Sequence, residues 1–412
     1  ETKNNLKEII KIAKSKNIKV IIAGMIAPTS YGFEYKKSFD TIFSELSKKY
    51  NITNVKKITN KYKTFKEYLK ENPNRDPQVE LPLVKQDSLK LEQTKNESKL
   101  IWFGHSAFLL QLDGKNILLD PMLGEAPSPV KWLSRKRYSK ELPLAIAELP
   151  QIDFVFISHD HYDHLDLETI DLIKHKVGHF IVPIGVGAHF KSWGVLACKI
   201  HEFNWWEDGE VNGLEFAFTP TRHFSGRGIT DANATLWGSW VIKGRDSKVF
   251  FSGDGGYGDH FKKIGDTYGP FDFALVECGQ YNENWKQIHM RPEESAQAIK
   301  DLNAKVGIPI HWGAFTLSLH DWFEPPVRIK KAADSLGVNV VTPLIGEAID
   351  LYERVIEIAP RNGNAAMQLM ELYRVKGDVY ASLQAMKLVS TKDLEWYWQN
   401  LNTTNYQPKG PA

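Results

Sequence analysis

Cysteine, long apolar runs and an excess of one charge are all scarce in this 412-residue chain. Its two cysteines, Cys198 and Cys278, are too few for a disulfide framework or a thiolate metal cluster. No uninterrupted apolar run approaches the roughly 18 residues that a transmembrane helix needs. Lys and Arg number 52 against 50 Asp and Glu, and this near balance argues against a dedicated nucleic-acid binder. The overall composition is that of a globular protein, whose length suggests roughly two to three domains.

Charge and histidine are unevenly distributed. Residues 1–75 hold 17 Lys and Arg against 7 Asp and Glu, so the remainder of the chain is net acidic. All 13 histidines lie between His105 and His320. Because histidine is the commonest metal ligand and titrates near neutral pH, we expect the chemistry in the middle of the chain.

Short apolar segments that end in polar residues recur from Lys99 onward. Two of them flank Asp113-Gly114, a strong signal for a β-hairpin. Further strand-like segments are IDFVFISH, HFIVPIG, LEFAFTPTRH, LWGSWVIKG, KVFFSGDGG and FDFALVECG, and residues 292–303 are helical in pattern. This alternation predicts an α/β (α+β) fold, an αββα sandwich or another layered arrangement.

A dense cluster of ligand-type side chains follows one of these segments. The sequence ISHDHYDHLD supplies His159, His161, Asp163 and His164 directly after an apolar strand. Imidazole and carboxylate together suit Zn²⁺, Mn²⁺ or Fe²⁺. Three later segments each end in a further ligand type, namely His223, Asp254 and His311. The set predicts a binuclear centre that activates a shared water and clamps a phosphoryl group or another reacting centre.

Other residues are candidates for supporting roles. His289 precedes a helix start and could bind phosphate or protonate a leaving group. Asp120 in LLDP could orient a ligand imidazole, as most metal-bound histidines require. His105 could line the pocket, and Ser225 and Arg227 could contact an anionic substrate. We interpret His201, His260 and His320 as structural, both cysteines as buried thiols, and Trp205, Trp206, Phe216 and Phe218 as core residues.

The order of these motifs resembles the metallo-β-lactamase superfamily, and most closely its N-acyl-phosphatidylethanolamine-hydrolysing phospholipase D branch. The resemblance covers about residues 80–345 and rests on LIWFGHSAFLL, ILLDPML, ISHDHYDHLD, HFSGRGI, LWGSWVI, FFSGDGGYGDHF, WKQIHMRPEESAQA and HWGAFTLSLHDWFEPP. It implies one metal held by His159, His161 and His223, a second held by Asp163, His164 and His311, and a bridging Asp254. It further implies catalytic roles for Asp163 and His289. Gly255 departs from the branch, because a threonine is expected after the bridging aspartate, and this change could loosen the Asp254 loop.

The two ends of the chain differ from its centre. VIIAGMIAPTSYGFEYKKSFDTIFSELSKKY resembles part of an SGNH-type esterase of the acyl-CoA thioesterase I group, without that family's catalytic blocks. We therefore assign residues 1–52 to an esterase-like fragment without catalytic residues and 53–97 to a charged connector. Residues 98–351 form the predicted hydrolase domain, and 352–412 a helical tail that resembles a single tetratricopeptide repeat.

Our preferred function is a two-metal phosphodiesterase of phospholipase D type, most simply with Zn²⁺, which acts through a metal-bridging hydroxide on N-acyl phosphatidylethanolamine-like lipids. A lactone or amide hydrolase that uses the same hydroxide stays open, as does a non-enzymatic scaffold; an RNA-processing nuclease is disfavoured by the short spacing of the late ligands. We expect a small-molecule or phospholipid substrate and no nucleic acid, with peripheral membrane contact and a homodimer left open. The chain begins at Glu1 without methionine, so export stays open beside a cytoplasmic or peripheral-membrane location.

Overall fold

The computed structural model describes residues 2–16, 20–23, 41–42, 45–50, 53–55, 72–131, 134–228, 230–245 and 247–350. The chain divides into two units, Glu1–Glu71 and Asn72–Ala412.

In the first unit, helix α1 (Thr2–Ser15) buries Ile10 against Leu46, which lies in a helical stretch at residues 45–50. Strand β1 (Ile21–Ala23) pairs in parallel with β2 (Thr53–Val55). Much of the esterase-like segment falls outside the described residues, and its origin stays a prediction.

The described part of the second unit contains two β-sheets. The first has seven strands in the order β15-β3-β4-β5-β6-β7-β8, and the second has six in the order β14-β13-β12-β11-β10-β9. The strands are β3 (Lys99–Trp102), β4 (Phe108–Leu112), β5 (Lys115–Leu119), β6 (Ile152–Phe156), β7 (Val177–Pro183), β8 (Ile200–Phe203), β9 (Glu207–Val211), β10 (Leu214–Thr219), β11 (Ser239–Lys243), β12 (Lys248–Phe251), β13 (Phe271–Glu277), β14 (Ala304–Ile310) and β15 (Ala348–Asp350). The predicted hairpin at Asp113-Gly114 is confirmed, since β4 and β5 pair antiparallel across it.

Alternating side chains give each sheet two apolar faces. Phe156 on β6 points between the sheets and meets Phe216 and Trp240 of the second sheet, with ring centroids 5.2 Å away in both cases. Its neighbour Val155 points to the opposite face and joins a separate buried cluster. This period of two places one core between the sheets and another on each outer face.

Helices cover both outer faces. Helices α2 (Ser88–Gln93), α3 (Leu167–Ile173) and α4 (Gly187–Ser192) contribute to the cluster on the first sheet. Helices α5 (His260–Tyr268), α6 (Pro292–Asp301) and α7 (Glu324–Leu336) cover the second. Short 3₁₀ turns occupy Ile146–Glu148, Lys174–Lys176 and Ala197–Lys199. The arrangement is the predicted αββα sandwich.

Part of the charged stretch before β3 packs on this sandwich. Leu81 is buried with the central core and Leu91 with the outer core of the first sheet. The Val84 N–H donates to the Ile345 carbonyl at 2.8 Å, which ties the segment to the far end of the unit. The tetratricopeptide-like tail at 352–412 lies outside the described residues.

Candidate metal centre

The predicted ligands meet at one edge of the sandwich. β5 and β6 are parallel, as are β12, β13 and β14, so their carboxyl ends share that edge. β3 and β10 run in the same direction as these strands, because each is separated from them by two antiparallel pairings. The loops that follow these strands carry His105, Asp120, His159, His161, Asp163, His164, His223, Asp254, His289 and His311.

Three of the histidines converge through their ring nitrogens. His159 Nε2 lies 2.9 Å from His161 Nδ1, and His223 Nε2 lies 3.1 Å from the same atom. His223 Nδ1–H donates to the Ile288 carbonyl at 3.0 Å, which directs its Nε2 toward the group. A divalent cation bound among these three nitrogens would have each of them as a ligand.

A second group surrounds Asp254. Its Oδ1 lies 3.1 Å from His164 Nε2 and 3.1 Å from His311 Nδ1. Its Oδ2 lies 3.9 Å from His159 Nε2 and 3.8 Å from His223 Nε2, so the carboxylate faces both groups. Asp163 Oδ2 completes the second group at 3.5 Å from His164 Nε2. The structure thus brings together all seven predicted ligands, with Asp254 between the two sets.

Two unsatisfied atoms test whether a metal fits here. His164 Nε2 and Asp254 Oδ1 are buried and lie 3.1 Å apart without hydrogen-bond geometry, and neither has any hydrogen-bond partner within the part of the chain that the structure describes. Buried polar atoms are normally satisfied, and these two face one another. Imidazole nitrogens and carboxylate oxygens are ordinary ligands of Zn²⁺, Mn²⁺ and Fe²⁺. The donor set therefore fits divalent metal.

Asp120 supports the ligands from behind, as predicted from its position. It lies 2.7 Å from His164 Nδ1, whose N–H donates to it, and so presents Nε2 to the centre. The Ser158 backbone N–H and hydroxyl both donate to the same carboxylate, at 2.7 and 2.5 Å. The carboxylate is fully buried and holds one orientation.

Burial shapes the electrostatics of the centre. It lowers the pKa of His161 to about 4 and holds those of His159, His223 and His311 well below the usual range. For His164, burial opposes the charge, but the carboxylates of Asp254, Asp163 and Asp120 raise its pKa well above that range. Burial also raises the pKa of Asp254 to about 7. Burial thus favours the neutral form of His159, His161, His223 and His311, which is the form that binds metal.

A cavity of about 340 Å³ opens onto the ligands. Its lining combines ligands with apolar side chains: His161, Asp163, His223, Phe224, Asp254, Gln280, Trp285, Ile288, His289, His311 and Leu317. The His289 ring stacks on His311 with centroids 5.3 Å apart and an interplanar angle of 10°. The predicted placement of His289 beside the ligands agrees with this geometry.

Not every predicted site residue reaches the cavity. Ser225 Oγ donates to the Thr235 carbonyl at 2.6 Å, and Arg227 Nη1 donates to the carbonyls of Asp160 and Leu165 at 2.6 and 2.7 Å. The Arg227 guanidinium also lies over the Tyr162 ring, 3.9 Å from its centroid. Both side chains thus contact neighbouring loops, and neither lines the described cavity. Their contact with substrate stays a prediction.

His105 lies deeper than expected. It is fully buried, and its Nε2 lies 3.0 Å from Asp163 Oδ2. Burial lowers its pKa to about 4, so it supports a ligand carboxylate as a neutral ring. It is not among the residues that line the described cavity.

Sequence reasoning missed two carboxylates at this edge. Asp160, inside the histidine cluster, accepts from the Gly226 N–H at 2.8 Å and the Thr235 hydroxyl at 2.9 Å. Glu277 ends β13 and contacts His289 Nδ1. The sequence did contain a signal for Glu277. It is a carboxylate at the end of an apolar strand, much as Asp254 is a carboxylate shortly after one.

Outside the centre, two expectations about burial fail. Cys198 is exposed, whereas Cys278 is buried as expected. Trp206 is 43% exposed, whereas Phe216 and Phe218 lie in the core. Of the histidines interpreted as structural, His201 contacts His179, and His320 accepts the Gln280 N–H.

Gly255 leaves room for the Thr221 side chain, and the loop that contains it is not loosened. A Cβ atom at Gly255 would lie 1.9 Å from Thr221 Oγ1. That hydroxyl donates to the Asp254 carbonyl at 3.0 Å, and the Gly255 N–H donates to Glu277 Oε2 at 2.5 Å. The loop of the predicted bridging aspartate is therefore held from both sides.

Comparison with known proteins agrees with this geometry. Residues 115–312 match the family model described as beta-lactamase superfamily domain. An uncharacterized protein of Mycobacterium tuberculosis is 43% identical over 253 residues, which cover 60% of this chain and 68% of the relative. N-acyl-phosphatidylethanolamine-hydrolyzing phospholipase D 1 of Caenorhabditis elegans is 31% identical over 341 residues, 78% of this chain and 93% of the relative. The mitochondrial yeast phospholipase D of the same name is 34% identical over 243 residues, 57% of this chain and 51% of the relative. With its sandwich fold, its ligand set and these relatives, the chain belongs to the metallo-β-lactamase superfamily as a metal-dependent hydrolase.

Proposed function

We propose that this protein is a binuclear metal-dependent phosphodiesterase of phospholipase D type that acts on N-acyl phosphatidylethanolamine-like lipids. The observation that carries the proposal is the composition of the cavity. Its lining combines predicted metal ligands and His289 with the apolar side chains of Phe224, Trp285 and Leu317. An amphiphilic diester presents a charged centre and apolar chains to such a lining. The names of the worm and yeast relatives support this substrate class.

The geometry supports an assignment of ligands. His159, His161 and His223 would hold one ion, and Asp163, His164 and His311 the other, with Asp254 between them. When bound, two divalent ions would activate a water and offset the charge that develops on phosphate oxygens. Zn²⁺ is the simplest choice for this donor set.

The chain's own residues provide orientation and a proton. Asp120 holds the His164 ring through Nδ1, and the Ile288 carbonyl holds His223 in the same way. His289 lines the cavity beside His311, and this position supports a role in protonating a leaving alkoxide. A water oxygen adds to phosphorus as the bond to the alcohol oxygen breaks. The alcohol oxygen takes a proton from His289, and the proton that the water loses restores His289, which gives a phosphomonoester and an alcohol.

Peripheral contact with a membrane surface is part of the proposal. Phe224 and Leu317 line the cavity and are 39% and 37% exposed, so apolar surface is available where a lipid would enter. Among the described residues, no helix is long and apolar enough to cross a membrane.

A substrate panel tests the proposed function. The metal-reconstituted protein should hydrolyse N-acyl phosphatidylethanolamine in mixed micelles faster than any lactone or β-lactam. Metal analysis should find close to two ions per chain, and Asp254→Ala should lose both metal and turnover, because that carboxylate faces both ligand groups. Efficient lactone cleavage without phosphodiester turnover would replace the proposal with the lactonase alternative, and full activity in a metal-free sample would refute both.

A further inference from the structure

Glu277 is a buried carboxylate that the proposed reaction does not use. It is the last residue of β13 and is fully buried. Its backbone is fixed on both sides, because its N–H donates to Ser252 Oγ at 2.9 Å and Ser295 Oγ donates to its carbonyl at 2.6 Å. A charged group in such a place is costly unless both oxygens have partners.

Each oxygen of Glu277 has one partner in the centre. Oε1 contacts His289 Nδ1. Oε2 accepts the Gly255 N–H at 2.5 Å, on the loop that carries Asp254. One carboxylate therefore joins the predicted proton donor to the loop of the predicted bridging ligand.

The contact fixes how His289 meets the cavity. Its ring stacks on His311 and meets His223 edge to face, with centroids 5.1 Å apart. Because Nδ1 faces the buried carboxylate, Nε2 is left on the other edge of the ring. Only 14% of the His289 side chain is exposed, so the ring has little freedom to turn over.

We propose that Glu277 is a positioning residue, which holds the His289 ring with Nδ1 toward the carboxylate and Nε2 toward the reacting phosphodiester. This inference rests on the proposed phosphodiesterase function. The proton that reaches the leaving alkoxide comes from Nε2 of a ring that also carries the Nδ1 proton, and the proton released by the attacking water restores Nε2. Glu277 neither binds substrate nor loses a bond in the step. The same logic governs metal-bound histidines, whose second nitrogen is fixed by a carboxylate or carbonyl.

Two other roles for Glu277, as a metal ligand or as a brace for the Asp254 loop, must be distinguished from positioning of His289. Asp254, Glu277, His289 and His311 lie close enough for one atom of each to surround a cation. If Glu277 were itself a ligand, its loss would remove metal. If it only braced the Asp254 loop, its loss would act independently of His289.

A double-mutant cycle distinguishes these roles in the metal-reconstituted full chain. Glu277→Gln should lower turnover of an alkyl phosphodiester by about 10–100-fold, the usual cost of losing such a partner. The same change in a His289→Gln background should have little further effect, because the residue through which Glu277 acts is gone. A nitrophenyl phosphodiester, which needs no proton on its leaving group, should show a smaller loss. Glu293→Gln on α6, whose side chain is 52% exposed, is the matched control and should retain wild-type turnover.

Nitrogen-15 NMR of labelled histidine supplies a readout that does not depend on turnover. Comparison with His289→Gln assigns the His289 signals, which in the wild type should report a proton on Nδ1. Glu277→Gln should shift them, and Glu277→Asp, which keeps a carboxyl group on a shorter side chain, should shift them less. Thermal unfolding and metal content confirm that each variant is folded and loaded.

The outcomes are separable. Additive losses in the cycle, loss of metal in Glu277→Gln, or unchanged His289 signals would each overturn the positioning role. A wild-type protein that hydrolyses no phosphodiester would refute the proposed function, while the NMR comparison would still decide whether Glu277 sets the His289 proton.

Discussion

At the scale of single residues, the backbone near the centre adopts conformations that most side chains disfavour. His105, Asp120 and His311 have φ of 56°, 36° and 68°, and Gln280, which lines the cavity, has φ of 58°. A non-glycine residue in this region costs of order 1–3 kcal/mol and persists where its surroundings hold it. Here the His105 N–H donates to the Trp312 carbonyl at 2.8 Å and the His311 N–H to the His105 carbonyl at 3.1 Å. The strained residues lie at the same edge of the sandwich as the predicted ligands. Strained backbone conformations are commonly found at functional sites.

Asp120→Asn tests support of a ligand by a residue that does not itself reach the cavity. The amide cannot accept from His164 Nδ1–H and from both Ser158 donors as a carboxylate does. Metal affinity should fall by about 10–100-fold, measured by competition with a chromophoric chelator. Asp259→Asn, an exposed change of the same chemistry, should leave affinity unchanged. Equal affinity in wild type and Asp120→Asn would show that His164 needs no such partner.

The residues of the centre were partly predictable from sequence for a physical reason. Each ligand candidate follows an apolar strand, and parallel strands bring their carboxyl ends to one edge, so Asp254 and His311 could be chosen from strand patterns alone. The hydrogen bonds from Arg227 to the backbone carbonyls of Asp160 and Leu165 could not be predicted. Backbone carbonyls are present at every residue, so the sequence does not distinguish an arginine that donates to a loop backbone from one that binds an anion.

At the scale of elements, the loops after β10 and β12 are fitted to each other. Thr221, in the first loop, occupies the space that a side chain at Gly255 would need. The Gly256 N–H also donates to the Arg222 carbonyl at 3.0 Å. The threonine expected after the bridging aspartate is therefore incompatible with Thr221 as it stands, and neither position can be judged from the sequence alone.

Gly255→Ala tests this fit. The added methyl group meets Thr221 Oγ1, and forcing an extra group into a packed site typically costs about 1–3 kcal/mol. The thermal midpoint should fall in the single variant and recover in part in Gly255→Ala/Thr221→Gly, which removes the obstructing side chain but also its hydrogen bond to the Asp254 carbonyl. A single variant as stable as wild type would show that the loops adjust freely.

At the scale of the whole molecule, every predicted ligand and the residues around the cavity lie in the second unit. Strands such as β6, β10 and β13 were predictable, because their apolar segments are well separated, whereas the polar β9 was not predicted. The packing of residues 72–97 was hidden, since the few apolar positions there stand among charged ones. Leu81 and Leu91 join different cores, so burial of this stretch depends on contacts with distant parts of the chain. No local pattern encodes such contacts.

Two deletions separate the contributions of these parts. A chain without residues 1–71 should keep its metal content and turnover, because no predicted ligand lies before His105 and the second unit begins at Asn72. A chain without residues 1–97 additionally loses Leu81, Leu91 and the Val84–Ile345 hydrogen bond. Removing one buried leucine side chain costs about 2–5 kcal/mol, so the longer deletion should lower the thermal midpoint sharply or leave the protein insoluble. Loss of turnover in the shorter deletion, with metal and folding intact, would give the first unit a chemical role, and equal stability of both chains would show that residues 72–97 only connect.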